Sequence, residues 1–186
     1  MMQKLWLKKL KLNYSKNILD IVQFGSSVKE GEKPNDIDIA VIFNPIPLKD
    51  QLNEAQEIKK QLQKNSDLPI HMKSFDLYSF FDSGNFARED ILFYGKSLIY
   101  GDYFVKRFKL IPKIQISYSL KKLKKSEKIK VNYTLNGKQG SYGLLRKYGG
   151  KLIKPGLIEI LPENKNIFIE ALKRLTPDVE AKEILI

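Results

Sequence analysis

The chain has 186 residues, 42% hydrophobic and 11% aromatic, and carries 33 Lys/Arg against 21 Asp/Glu for a net charge of +12. That length and apolar content fit one good-sized domain, or a core with an appendage, and exclude a wholly disordered chain. With no Cys and a single His, disulfides, thiolate metal sites, a cysteine nucleophile and any multi-histidine cluster are excluded, so a bound metal must be held mainly by oxygen.

In chain order, residues 1–19 mix Leu, Trp and Lys at a spacing that predicts a helix. Their lysines interrupt any apolar stretch long enough for a signal peptide or a span of about 20 residues, so a cytoplasmic protein with no membrane partner is expected. Residues 19–24 (LDIVQF), short, apolar and closed by Gly25, read as a buried strand. Residues 26–32 begin a short helix that Pro34 breaks, because proline disfavours helical geometry in the residue before it. Residues 37–43 (IDIAVIF) form a second strand and 44–47 a turn. Over 48–64, Leu52, Ala55, Ile58 and Leu62 recur every three or four positions, which predicts an amphipathic helix. A third strand follows over 68–75, then helical stretches over 76–81 and 87–94. The second half opens with an aromatic, apolar stretch over 103–123 that runs into the cluster KKLKKSEKIK. Beyond it the pattern predicts a strand over 130–135, a turn at Asn136 and Gly137, and a short helix over 142–148. A strand over 152–161 entered around Pro155 and Gly156, a helix over 166–175 and an extended segment over 179–186 complete the chain.

Two short motifs carry chemistry. Side chains alternate along a strand, so Asp36 and Asp38 fall on one side and can share metal ions, while Ile37 points into the core. Ten positions before Asp36, Gly25 and Ser26 follow the first strand, where a residue without a side chain lets backbone N–H groups approach a phosphate and a hydroxyl can donate to it. Alone, the Asp-x-Asp would read as an acidic strand start. Joined to Phe24, Gly25 and Ser26 at this distance, with an apolar strand on each side, it reads as a site. Ser27 reads as structural, capping the short helix, and Lys29 is balanced between a phosphate contact and a solvated face.

The segment FGSSVKEGEKPNDIDIAV resembles the minimal nucleotidyltransferase pattern of the DNA polymerase beta superfamily, in which Gly-Ser follows a strand and Asp-x-Asp comes after a polar helix and loop. Lys29, Gly31, Glu32 and Asn35 fall where that family commonly has Arg, Gly, Glu and Ser, and the resemblance covers about residues 19–100. It implies an α+β fold with a nucleotidyltransferase core over residues 1–100, its mixed sheet with helices against one face; the elements and charge of the second half, which match no named family, read as a small basic α+β domain over 101–186. It also implies transfer of a nucleoside monophosphate from a nucleoside triphosphate, with ATP the default substrate. Asp36 and Asp38 would hold Mg2+ or Mn2+, and Gly25, Ser26 and Lys29 would bind the nucleotide.

The family pattern places a third carboxylate on the next strand, and here the sequence departs from it. Aligning LPIHMKSFDL puts His71, the only histidine, at that position. An imidazole can act as a general base and suits manganese or zinc better than magnesium, or it can simply fill the strand position. Asp76, five residues later, would face the other way in a continuous strand or cap the helix over 76–81.

Charge is unevenly divided. Residues 1–100 hold 14 Lys/Arg and 13 Asp/Glu and residues 101–186 hold 19 and 8, net charges of +1 and +11. Such a concentration predicts a polyanion surface for RNA or another nucleic acid, with Lys121, Lys122, Lys124 and Lys125 neutralising phosphates and Tyr118 stacking on bases. A solvated lysine-rich face is the alternative. Two other functions stay open: a nucleotide- or nucleic-acid-binding module without turnover, since the third acid is missing, and an antitoxin-like modifier of a protein partner.

Overall fold

The three strands expected in the first half form in the computed structural model, which describes residues 10–29 and 32–186. β1 (Ile18–Phe24), β2 (Ile37–Phe43) and β3 (Ile70–Asp76) join a two-residue β4 (Lys96–Ser97) in a mixed sheet of order β3-β2-β1-β4. β2 lies antiparallel to β1 and parallel to β3. The parallel pair needs a crossover, which α1 (Leu48–Gln63) supplies. On one face Ile21, Ile37, Ile39, Val41 and Phe43 cluster with Ala55, Ile58 and Leu62 of α1. On the other, Val22, Phe24, Ala40 and Ile42 cluster with Phe80 of α2 (Leu77–Phe81), Ile91 of α3 (Arg88–Tyr94) and Phe104. Helices thus cover both faces, not one as expected. IDIAVIF is apolar at odd and even positions alike along most of its length, so both sides must leave water.

The helix expected over 1–19 is absent from residues 10–17, and residues 1–9 lie outside the described part. Polar side chains hold that stretch instead: the Asn13 backbone exchanges hydrogen bonds with Gln61, and Ser15 and Asn17 donate to Glu54. The short helix expected over 26–32 is a single 3-10 turn, Gly25–Val28, with Glu30 and Gly31 outside the described residues.

The chain divides into two units between Leu110 and Ile111, ten residues beyond the expected boundary. The reason is packing and charge. Tyr103, Phe104 and Val105 belong to the first core. Arg107, in the 3-10 segment Phe104–Phe108, stands 3.2 Å from the fully buried Asp20 and donates to the Leu19 carbonyl. Asp20 also accepts from Ser97 Oγ at 2.7 Å and from the Ile21 N–H at 2.8 Å. Burial pushes its carboxyl above the usual range, against the pull of Ser97 and Arg107.

In the second unit β5 (Pro112–Tyr118), β6 (Lys151–Lys154), β7 (Leu157–Ile160) and β8 (Val179–Leu185) form an antiparallel sheet of order β6-β7-β5-β8. Two expectations are corrected here. Residues 130–135 are not a strand but part of α4 (Lys125–Asn136). Its start is fixed by the Lys124 N–H donating to Glu127 Oε2 at 2.7 Å, its buried face by Val131 and Leu135, four apart, and its end by Gly137 at φ 89°. Residues 152–161 are not one strand but parts of the β6–β7 hairpin, turned at Pro155 and Gly156. A Cβ on Gly150 would meet Leu145, Ile160 and Phe168 within 3.3 Å, so α5 (Leu144–Tyr148), β7 and α6 (Lys165–Lys173) close around a residue without a side chain. The α+β class therefore holds, as a mixed sheet followed by an antiparallel one.

Candidate active site

The expected site residues meet at the N-terminal end of β2. Asp38 is in register with His71 on β3 and with Phe24 on β1, and Ile37 is fully buried among the α1-side residues. Asp36, Asp38 and His71 each offer one ligand atom within 4.8 Å of the others. His71 Nδ1 lies 3.1 Å from Asp36 Oδ2, within ion-pairing distance of the carboxylate when the ring is protonated. Both aspartates are half-buried, whereas His71 is exposed. Burial is the main cause that raises the Asp38 carboxyl above its ordinary pKa; the Asp36 charge adds to it, Lys73 and His71 oppose it, and Asp90 adds again. Two crowded carboxylates beside an imidazole are a donor set that fits one divalent cation. The nitrogen suits Mn2+ or Zn2+ better than Mg2+.

The glycine at position 25 is required twice over. Its φ is +72°, and a Cβ there would stand 2.5 Å from Asp38 Oδ2, so the turn expected to seat phosphate lies directly against the Asp38 carboxylate. Ser26, half-buried in the same turn, accepts the Lys29 N–H on its carbonyl at 3.2 Å. Ser27 is buried and structural, as expected, though by a different bond: its hydroxyl donates to the Phe24 carbonyl at 3.1 Å and accepts from Gln23 Nε2 at 3.0 Å.

Sequence reasoning missed two residues. Lys73, two positions after His71 on β3, is one of the charges acting on Asp38 and lies 5.5 Å from the Phe24 ring centroid. The alternation that located His71 was enough to find it. Asp90, on α3, accepts the Gly25 N–H on Oδ2 at 2.9 Å and pairs through Oδ1 with Lys29 Nζ at 2.6 Å. Glu89 and Asp90 both lie in the first turn of α3, and nothing local points from Asp90 to a partner 65 residues earlier.

Asp76 lies at the other end of β3, in register with Phe43, and caps α2: its Oδ1 accepts the Ser79 N–H at 2.8 Å, while its own N–H donates to Ser79 Oγ at 3.0 Å. Hydrogen bonds from Ser79 hold its carboxyl below the usual range. Among the described residues, the one acid or histidine group able to hold a metal is completed by His71, not by a third carboxylate.

In the second unit Lys121, Lys122, Lys124 and Lys125 are exposed, Lys122 standing 3.6 Å from Asp178. Tyr118 is not available for stacking. It is 8% exposed, because the alternation of β5 buries it with Ile114 and Ile116, and burial pushes its phenol up. The open rings are Tyr133 and Tyr142, 43% and 68% exposed. Lys138 Nζ lies 5.8 Å from the first ring centroid and Arg146 Cζ 4.1 Å from the second. Both lie between Glu127 and Glu159, an interval with no acidic residue.

No helix among the described residues is long and apolar enough to cross a membrane. Compared with known proteins, the chain matches no protein-family model, no curated protein and no solved structure.

Proposed function

We propose that the protein is a metal-dependent nucleotidyltransferase that moves a nucleoside monophosphate from a nucleoside triphosphate to an acceptor hydroxyl, breaking the α–β phosphoanhydride bond and releasing pyrophosphate. The observation that carries this reading is the convergence of Asp36, Asp38 and His71 on one point, with the Gly25 turn pressed against Asp38. A bound divalent cation would supply charge neutralisation for the phosphates and activation of the attacking oxygen. Asp36 and Asp38 hold it. The Gly25 turn and the Ser26 hydroxyl offer donors to the phosphate oxygens, and Lys29 offers a positive charge. His71, whose Nδ1 lies 3.1 Å from Asp36 Oδ2, stands at the third ligand position and would complete the donor set around the cation. ATP is the default donor, and no residue described above reads the base.

Charge supports a nucleic-acid acceptor: residues 111–186 alone hold 16 Lys/Arg against 7 Asp/Glu. The test is incubation with each labelled nucleoside triphosphate, Mg2+ or Mn2+, and total RNA. Label should enter RNA, and Asp36→Ala or Asp38→Ala should abolish both transfer and metal-dependent triphosphate binding without unfolding the chain. Unchanged nucleotide affinity in both variants would sink the assignment. One observation favours a second reading, a binding module without turnover: His71 stands where a carboxylate is expected. Triphosphate binding with no transfer to RNA or protein under either metal would select it.

A further inference from the structure

The groups expected to receive phosphate oxygens already have an anion. The two oxygens of Asp90 bridge the Gly25 N–H, at 2.9 Å, and Lys29 Nζ, at 2.6 Å. Lys29 also lies 4.8 Å from the ring centroid of Tyr94, one turn after Asp90 on α3. A carboxylate spanning a backbone N–H and an ammonium makes the same charge-assisted contacts that two oxygens of one phosphate would make. One N–H cannot serve both well. Asp90 does not belong to the cluster of Asp36, Asp38 and His71, and its two oxygens face donors. The pair is only 28% and 26% exposed on its Lys29 and Asp90 side chains, more shielded than an ordinary surface ion pair, yet open enough for the carboxylate to swing into water.

We infer that Asp90 is an internal stand-in for phosphate, which occupies the seat formed by Gly25 and Lys29 and sets triphosphate affinity by having to be displaced. The inference rests on the reading of that turn as a phosphate seat. A seat that is free only part of the time weakens apparent affinity by the free fraction. It also sorts ligands: an anion with several charged oxygens, such as a triphosphate or pyrophosphate, displaces a carboxylate more readily than one monoanionic group does.

The experiment is calorimetric titration of the full chain with inorganic pyrophosphate and with ATP, each without metal and with Mg2+. Asp90→Asn keeps an acceptor for the Gly25 N–H but removes the charge from Lys29, and should bind pyrophosphate about tenfold more tightly without metal. Lys29→Ala in the Asp90→Asn background should cancel that gain. In the wild type the Gly25 amide resonance should move as pyrophosphate is added, since its acceptor changes; a stationary resonance overturns the inference even if the variant does not fold. Equal or weaker binding by folded Asp90→Asn overturns it too, and makes Asp90 an orienting residue retained in the complex. If the wild type and the variant both bind neither ligand under any metal condition, the phosphate-seat reading itself fails and takes this inference with it.

Discussion

Asp38 concentrates the physics of the site: it is crowded by Asp36, relieved by Lys73 and His71, and leaves no room for a Cβ at Gly25. Its raised carboxyl has a direct consequence for cation binding. A carboxylate must be ionised to ligate a cation, so if Asp38 holds one, protons compete for it over a range lying above the ordinary value of 3.8. Affinity for Mn2+ should therefore fall, as pH is lowered, before it would for an unperturbed aspartate pair; titration across acidic pH with a calorimeter checks it, and a decline only around the ordinary value contradicts it. His71 permits a sharper test. His71→Asp supplies the anionic ligand that Mg2+ prefers at the position in register with Asp38, so Mg2+-dependent transfer should rise and the preference for Mn2+ should shrink. A variant that binds Mg2+ no better than the wild type would show that position 71 does not face the cation. These residues were legible in the sequence because strand alternation and a ten-residue spacing are local facts. Asp90 was not, because its partners Gly25 and Lys29 lie 65 and 61 residues away and nothing in its own segment points to them.

Among the elements, those read correctly are the ones whose period settles the matter. α1 repeats its apolar residues at three and four, and β2 is a short apolar run bounded by turn residues. α4 failed for a physical reason: KVNYTL alternates like a strand and is rich in β-branched and aromatic residues, whereas its helix is held by an N-terminal Glu127 bond and by Val131 and Leu135, which a six-residue window cannot reveal. The β6–β7 hairpin failed because Pro155 and Gly156 were read as an entry to one strand and not as the turn between two. The bolt that ties β1, β4 and residues 104–108 together was equally hidden, since Asp20 looks like a polar residue on a strand until Arg107 and Ser97 are seen around it. That bolt predicts a pH effect. Folding raises the Asp20 pKa above its unfolded value, here taken as 3.8, so its favourable contribution is fully present below 3.8 and is lost as pH rises through the folded value. Asp20→Asn does not titrate. The stability of the variant relative to the wild type should therefore increase as pH is raised from below 3.8 toward neutrality, read by urea unfolding at a series of pH values. A constant difference across that window would mean that Ser97 and Arg107 fully compensate the burial of the charge.

At the scale of the whole molecule, the two units differ in charge: residues 1–110 hold 17 Lys/Arg and 14 Asp/Glu, against 16 and 7 for residues 111–186, net +3 and +9. A general habit of using lysine would load both alike, so the asymmetry is the ground on which the proposed nucleic-acid acceptor can be tested. If lysines each displace a condensed counterion from single-stranded RNA, log affinity must fall linearly with log salt, by about −0.7 per contact, so that four contacts give a slope near −3 as an order-of-magnitude figure. Replacing the exposed Lys121, Lys122, Lys124 and Lys125 together by Gln should flatten the slope and weaken all sequences alike. Of the tyrosines that the sequence suggested, Tyr133 is open and Tyr118 is not, and Tyr142 is a more open ring than either. Tyr142→Ala, at an open ring backed by Arg146, should weaken binding with little change in slope. Tyr118→Ala should act on folding instead, lowering stability by roughly 3 kcal/mol, as truncation of a buried aromatic does. Fluorescence anisotropy of a labelled oligonucleotide at several salt concentrations, with thermal unfolding of each variant, separates these effects. Binding that ignores both the four-lysine change and Tyr142→Ala would return the surface to a solvated face, and a protein or small-molecule acceptor would then fit the proposed transfer better.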